Sequence, residues 1–169
     1  MDQNTPTKSG LITKEVKTRA EAVAKAAEDS ADSVDRDGRF PAEAFAAARG
    51  QRLLGIMVPS DLGGEAASVS DVVDVCYMLG RACSSTGMIF AMHQIMVAIL
   101  VRHAQGSPWH RNLLQRLLTE QLLIASSTTE GNSGGDLRSS VCAVERNGSA
   151  ISFTKSATVM SYGAQADVI

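Results

Sequence analysis

The sequence predicts a mainly α fold, an N-terminal helical bundle followed by an incomplete β-domain. Three observations point to it. Up to about residue 120, apolar residues recur every three or four positions, the period of a helix with one buried face. Aromatic residues make up only 4% of the 169 residues while alanine, valine, leucine and methionine abound, which favours packed helices over a β-sandwich. After Gln121 the pattern changes to short apolar runs, two of which flank Asn147-Gly148, a strong hairpin signal.

Residues 1–10 read as a disordered polar tail. A long helix begins near Thr13, with Ile12, Val16, Ala20, Val23, Ala27, Ala31 and Val34 on one stripe and Lys14, Lys17, Glu21, Lys25 and Asp29 opposite. Glu21 and Lys25 stand in the favourable order for a helical ion pair. Asp35-Arg36-Asp37-Gly38 ends this helix. Pro41 suits the first turn of a second helix, which carries Ala42, Phe45 and Ala48 and stops at Gly50. Leu53 to Pro59 is an apolar connection, and Ser60-Asp61-Leu62-Gly63-Gly64 a turn. Ser68 and Asp71 form a capping box for a third helix that buries Val72, Val75, Cys76, Leu79 and Ala82. Ser84-Ser85-Thr86-Gly87 reads as its break. The next helix, Met88 to Arg102, is apolar on nearly all sides, so it should be central and covered by its neighbours. Ser107-Pro108 opens a last helix, Trp109 to Thr119, with Leu113, Leu114, Leu117 and Leu118 inward.

Leu122 to Ser126 then reads as the entry strand of a β-domain, and Val141 to Glu145 and Ala150 to Thr154 as a hairpin. A sheet needs three or more strands with one face covered, so residues 121–169 read as the truncated beginning of that domain, after a helical domain at 11–120.

Composition excludes several classes of function. A net charge of −2, without a basic run, argues against nucleic-acid binding. The three cysteines, Cys76, Cys83 and Cys142, fit no zinc spacing and read as free, buried thiols of a reducing compartment. The N-terminus lacks the apolar stretch of a signal peptide, and Met88 to Val101 is shorter than the roughly 20 residues of a membrane span, so a cytoplasmic protein without membrane attachment is expected. His93, His103 and His110 have no metal-ligand neighbours at suitable spacing and read as structural. Two features remain open. Met88, Met92 and Met96 recur every four residues, as core or as the lining of an acyl-chain site. The turn Thr129-Glu130-Gly131-Asn132-Ser133-Gly134-Gly135-Asp136 is either a surface loop or a ligand cradle, its glycines letting backbone amides approach phosphate or ring oxygens.

Three segments, in order, carry a resemblance. Leu53 to Gly64 is similar to the "GLLGI-x-VPEEYGG" segment of the acyl-CoA dehydrogenase superfamily, Ala125 to Asp136 to its "A-x-TEPGAGSD" signature, and Phe153 to Val168 to the strand carrying "G-x-K-x-W-[IV]-[TS]-N-A-x-x-AD". The resemblance implies an N-terminal helical domain, a middle β-domain and a C-terminal bundle, usually in a homotetramer that binds FAD. It implies that a carboxylate removes the α-proton of an acyl-CoA thioester while hydride passes from the β-carbon to the flavin. An electron-transferring flavoprotein or oxygen would then reoxidise the flavin. Carried onto this chain, the resemblance makes Thr129 a flavin hydrogen-bond donor and places Ser126 and Thr128 along the ring edge. Gly134 and Gly135 would lie near the pyrophosphate, Ser161 would match the Thr/Ser beside N5, and Met160 the apolar residue before it. Met88, Met92 and Gly135 would face substrate.

There are departures from the family pattern. Gly131 stands for its proline, Asn132 for a glycine, Gly135 for the serine that reaches cofactor and substrate, and Val159 for the tryptophan packed on the flavin. Nothing here aligns with the C-terminal bundle that supplies the catalytic Glu. The expectation is thus the N-terminal part of an FAD-dependent acyl-CoA dehydrogenase that needs a C-terminal piece, in the same or another chain, to hold FAD. The alternatives are a non-catalytic subunit or assembly partner of the same fold and a relative resembling flavin monooxygenases or nitroalkane oxidases.

Overall fold

A computed structural model describes residues 13–130, 140, 142 and 144–169. Helix α1, Lys14–Asp37, starts where the Thr13 hydroxyl accepts the Val16 N–H at 3.3 Å. It ends at Gly38, whose φ of +59° lets the Gly38 and Arg39 amides turn back onto the Asp35 and Val34 carbonyls. The expected stripe is buried from Val16 to Val34, with Ser30 inside in place of Ala31, while Ile12 lies outside the described residues. Ser30 is tolerated there because its hydroxyl donates to the Ala26 and Ala27 carbonyls. The expected Glu21–Lys25 pair is replaced by Lys17–Glu21 and Lys25–Asp29, a one-step change among exposed pairs of similar worth.

Helix α2, Ala42–Gly50, leads into the 53–58 connection, where Leu53, Leu54, Ile56 and Val58 are fully buried. A short 3-10 turn at Ser60–Leu62 and the Ser68/Asp71 capping box precede α3, Val69–Ala82. The helix break lies at Cys83 alone, with φ −155° and ψ 116°, and Ser84 to Gly87 form the first turn of α4, Ser84–His103. Gly87 is required inside that turn: a Cβ there would meet the Gly80 Cα at 2.6 Å, so the glycine pair lets α3 and α4 touch. Helix α5, Pro108–Glu120, closes the bundle with Leu113, Leu114 and Leu117 inward and Leu118 half-buried.

Two expectations about α4 change. It buries Thr86, Gly87, Phe90, His93, Gln94 and Val97, while Met88, Ile95 and Ile99 stay 64%, 58% and 46% exposed, because the described elements cover only one of its faces. At 20 residues it is also long and apolar enough to cross a membrane, although it packs here against α3 and α5. Of the cysteines, all free, Cys83 is buried and Cys76 and Cys142 half-buried.

Beyond α5, Leu122, Leu123 and Ile124 join the same apolar core as the helices. Ile124 makes a parallel bridge to Val168. Strands β1, Val144–Asn147, and β2, Ala150–Phe153, pair antiparallel with Asn147 opposite Ala150. The turn residues are therefore Gly148 and Ser149, one step later than Asn147-Gly148 suggests, with Gly148 supplying the positive φ of +62°.

Candidate functional site

The 53–58 connection is buried without regular hydrogen bonding, so its polar backbone needs partners. Buried side chains supply them. Gln121 Oε1 accepts the Leu54 N–H at 3.1 Å, and Gln94 Nε2 donates to the Leu53 and Leu54 carbonyls at 3.2 Å each. His93 Nε2 donates to the Leu54 carbonyl at 2.8 Å and Nδ1 accepts the Ile124 N–H at 3.1 Å, which fixes a neutral tautomer. Burial is the main cause that pushes the His93 pKa down to about 4.

Ile124, bridged to Val168, opens the segment 124–130. Its carbonyl accepts from the Tyr162 hydroxyl at 3.0 Å, and burial raises that phenol to about 12. The neighbouring Leu123 N–H donates to Asp167 Oδ2 at 2.7 Å, and Asp167 also takes Arg49 at 2.6 Å. Further along, the Thr129 hydroxyl donates to the Val159 carbonyl at 2.6 Å and accepts the Val159 N–H at 3.3 Å. Glu130 is buried and paired with Lys155, and it accepts from the Ser140 hydroxyl at 2.5 Å.

Between these ties lies a cavity of about 690 Å³. Ser126, Ser127 and Thr128 form one wall, Met96 of α4 and Met160 supply apolar cover, and Lys155 adds a cation held by Glu130. The backbone of residues 126–128 makes no hydrogen bond to other described residues.

Of the site residues expected from the sequence, Ser126, Thr128 and Met160 meet at this cavity, with Thr129 and Val159 paired beside it. Ser161 is exposed just past Met160. Gly134 and Gly135 lie outside the described residues. Met88 and Met92 do not line the cavity, but Met96, one turn further along their stripe, does. Sequence reasoning read His93 as structural, in line with its two backbone bonds, and did not anticipate Asp167, Arg49, Lys155 or Ser140. Only Asp167 carried a signal, as the last residue of the matched tail pattern.

Residues 13–121 match the family described as acyl-CoA dehydrogenase, N-terminal domain. The chain is 31% identical over 97 residues to the oxygenase component of the FADH(2)-dependent resorcinol hydroxylase of Rhizobium sp. (strain MTP-10005), covering 56% of this chain and 24% of that one. It is 31% identical over 118 residues to 3-sulfinopropanoyl-CoA desulfinase of Paraburkholderia xenovorans (strain LB400), covering 70% and 30%. It is 28% identical over 109 residues to acryloyl-CoA reductase (NADH) of Anaerotignum propionicum, covering 64% and 27%. The matched stretches thus span only 24%, 30% and 27% of these curated relatives. The crystal structure of FMN-bound TdsC from Paenibacillus sp. A11-2 superposes with a TM-score of 0.77 at 19% identity, over 89% of this chain and 38% of that one, and so shares the fold. With its five helices inside the matched span, this chain belongs to the acyl-CoA dehydrogenase family.

Proposed function

We propose that the chain forms the N-terminal side of an FAD site in an oxidoreductase that desaturates the α–β bond of an acyl-CoA thioester. The observation that carries this reading is the cavity beside residues 125–128, at the segment resembling the family's flavin signature. Its donor set suits a flavin ring: the hydroxyls of Ser126, Ser127 and Thr128, with amides that bond no other described residue, for the polar edge, and Met96, Ala125 and Met160 for the apolar faces. Two relatives bear names of CoA-thioester enzymes, which supports the substrate class.

A bound flavin supplies a two-electron acceptor. The residues of this chain bind and orient. The amides and hydroxyls of 126–128 would hold the polar edge of a flavin and supply positive dipole to it. Met96 and Met160 would keep water from it. Thr129 fixes the Val159 backbone at this end of the chain segment. In this reading Gly134 and Gly135 take the pyrophosphate, Ser161 stands near N5, and Met88, Met92 and Gly135 border the acyl chain. No residue of this chain is assigned as the base. The working protein is a homo-oligomer or a complex with a chain supplying the C-terminal bundle. It is cytoplasmic, and it passes electrons to an electron-transferring flavoprotein or oxygen.

The test is anaerobic titration of the full-length flavoprotein, reconstituted with FAD and separately with FMN, by acyl-CoA thioesters. Bleaching of the visible flavin band with formation of an enoyl-CoA is the expected result. A second reading, a flavin-dependent oxygenase, is favoured by the resorcinol hydroxylase relative and by Gly135 in place of the substrate-facing serine. It gains if no thioester bleaches the flavin while the reduced protein consumes oxygen and hydroxylates an aromatic substrate. A chain that binds its partner but no flavin would instead point to a non-catalytic subunit.

A further inference from the structure

Residues 122–125 are gripped from both sides. In an extended segment, successive N–H and C=O groups point to opposite sides. On one side, Asp167 Oδ2 takes the Leu123 N–H at 2.7 Å, the Leu123 carbonyl accepts the Asp167 amide at 2.8 Å, and the Ala125 N–H donates to the Val168 carbonyl at 2.8 Å. On the other side, His93 Nδ1 takes the Ile124 N–H at 3.1 Å and the Tyr162 hydroxyl takes the Ile124 carbonyl at 3.0 Å.

Both grips run back to the helices. His93 is fully buried on α4, and its other nitrogen is seated on the Leu54 carbonyl, so one imidazole sets the spacing between the 53–58 connection and Ile124. Asp167 is braced by Arg49 of α2, whose Nε also donates to the Gln121 carbonyl at 3.2 Å. The next residues along the chain, Ala125 to Thr128, form the cavity wall. A shift of this backbone would therefore move the hydroxyls of Ser126, Ser127 and Thr128 relative to the cavity they line.

We propose that His93 and Asp167 are positioning residues that set the register and height of residues 122–128 against the helical bundle, and so decide which hydroxyls and amides meet the flavin ring. This rests on the flavin reading above. Neither residue touches the cavity. Their effect passes through the backbone they hold.

The test uses the full-length flavoprotein with the variants His93→Leu, Asp167→Ala and Asp167→Asn. Measurements are FAD affinity, visible circular dichroism of the flavin, helical circular dichroism and amide exchange at Leu123 and Ile124. His93→Leu and Asp167→Ala should each weaken FAD binding about tenfold or more and change the flavin dichroism while the helical signal is unchanged, as expected for a lost buried hydrogen bond. Asp167→Asn should restore binding to within about threefold of the parent, because its amide oxygen still accepts the Leu123 N–H. FAD affinity unchanged in both folded variants, or Asp167→Asn failing as badly as Asp167→Ala, would overturn the proposal. If the parent holds no flavin, the functional reading falls, and amide exchange decides alone. Selective acceleration at Ile124 in His93→Leu supports the positioning role, whereas equal acceleration throughout α1 sinks it.

Discussion

The bundle at 14–120 and the segment at 144–169 are held together in opposite ways. In the bundle, Phe45, Phe90, Leu79, Leu114 and Leu117 are fully buried, and caps such as Thr13 and Ser68 finish the helices. In the later segment, β1 and β2 are exposed at every position, and the chain is anchored by single ties such as Asp167–Arg49 and Tyr162–Ile124. The first region is specified by what it buries, the second by what it touches. The cavity at their seam takes a wall from each, Met96 from the bundle and Phe153, Lys155 and Met160 from the later segment.

The largest effect should come from emptying the bundle core. Phe90→Ala removes a fully buried ring and should cost about 3–5 kcal/mol of unfolding free energy by denaturant titration. A cost below about 1 kcal/mol would mean that the bundle core is not what stabilises the fold.

His93 sharpens the comparison, because it is where the bundle reaches across to the later segment. Its ordinary pKa of 6.5 falls to about 4 in the fold, chiefly through burial. The hydrogen bond to the Leu54 carbonyl and the charge of Asp167 oppose the fall, and the charge of Arg49 adds to it. Between these values the unfolded chain binds a proton that the folded chain refuses. The contribution of His93 is therefore fully present above about pH 6.5 and is lost as pH falls toward 4. The loss should be on the order of 3 kcal/mol, and His93→Gln should flatten this part of the pH–stability curve. An identical curve in the variant would show that His93 is not buried neutral.

What could be read from the sequence follows the same division. Helix α1 was legible because its stripe, Thr13 and Gly38 are local signals. Ser84 to Gly87 misled because their composition is that of a breaker, yet Gly87 answers to Gly80 on another helix. The exposure of Met88 and Ile95 was hidden because an all-apolar helix does not say which faces its neighbours reach. Ser126, Thr128 and Met160, which line the cavity, were singled out only through resemblance, because no spacing or composition marks them. The pairs His93–Ile124, Arg49–Asp167 and Glu130–Lys155 join residues 31, 118 and 25 positions apart, and no local pattern encodes them.

A smaller effect tests a local signal directly. Ser68 accepts the Asp71 N–H, and Asp71 accepts the Ser68 N–H in return. Ser68→Ala should cost about 1 kcal/mol, visible as a lower denaturation midpoint with an unchanged slope. No change at all would mean that α3 is held by packing alone.

The smallest effect belongs to the hairpin. Ile151 is 59% exposed, opposite Arg146 in the register. In this chain Ile151→Thr should change stability by less than about 0.5 kcal/mol, since it removes almost no buried apolar surface. The same substitution in a longer protein containing this chain separates two situations. If further strands cover the hairpin there, the cost should rise toward 1–2 kcal/mol, the order expected when buried apolar groups are lost from a sheet face. If the cost stays near zero, β1 and β2 are a surface flap, and the later segment depends on its ties at Leu123 and Ile124 in the whole protein too.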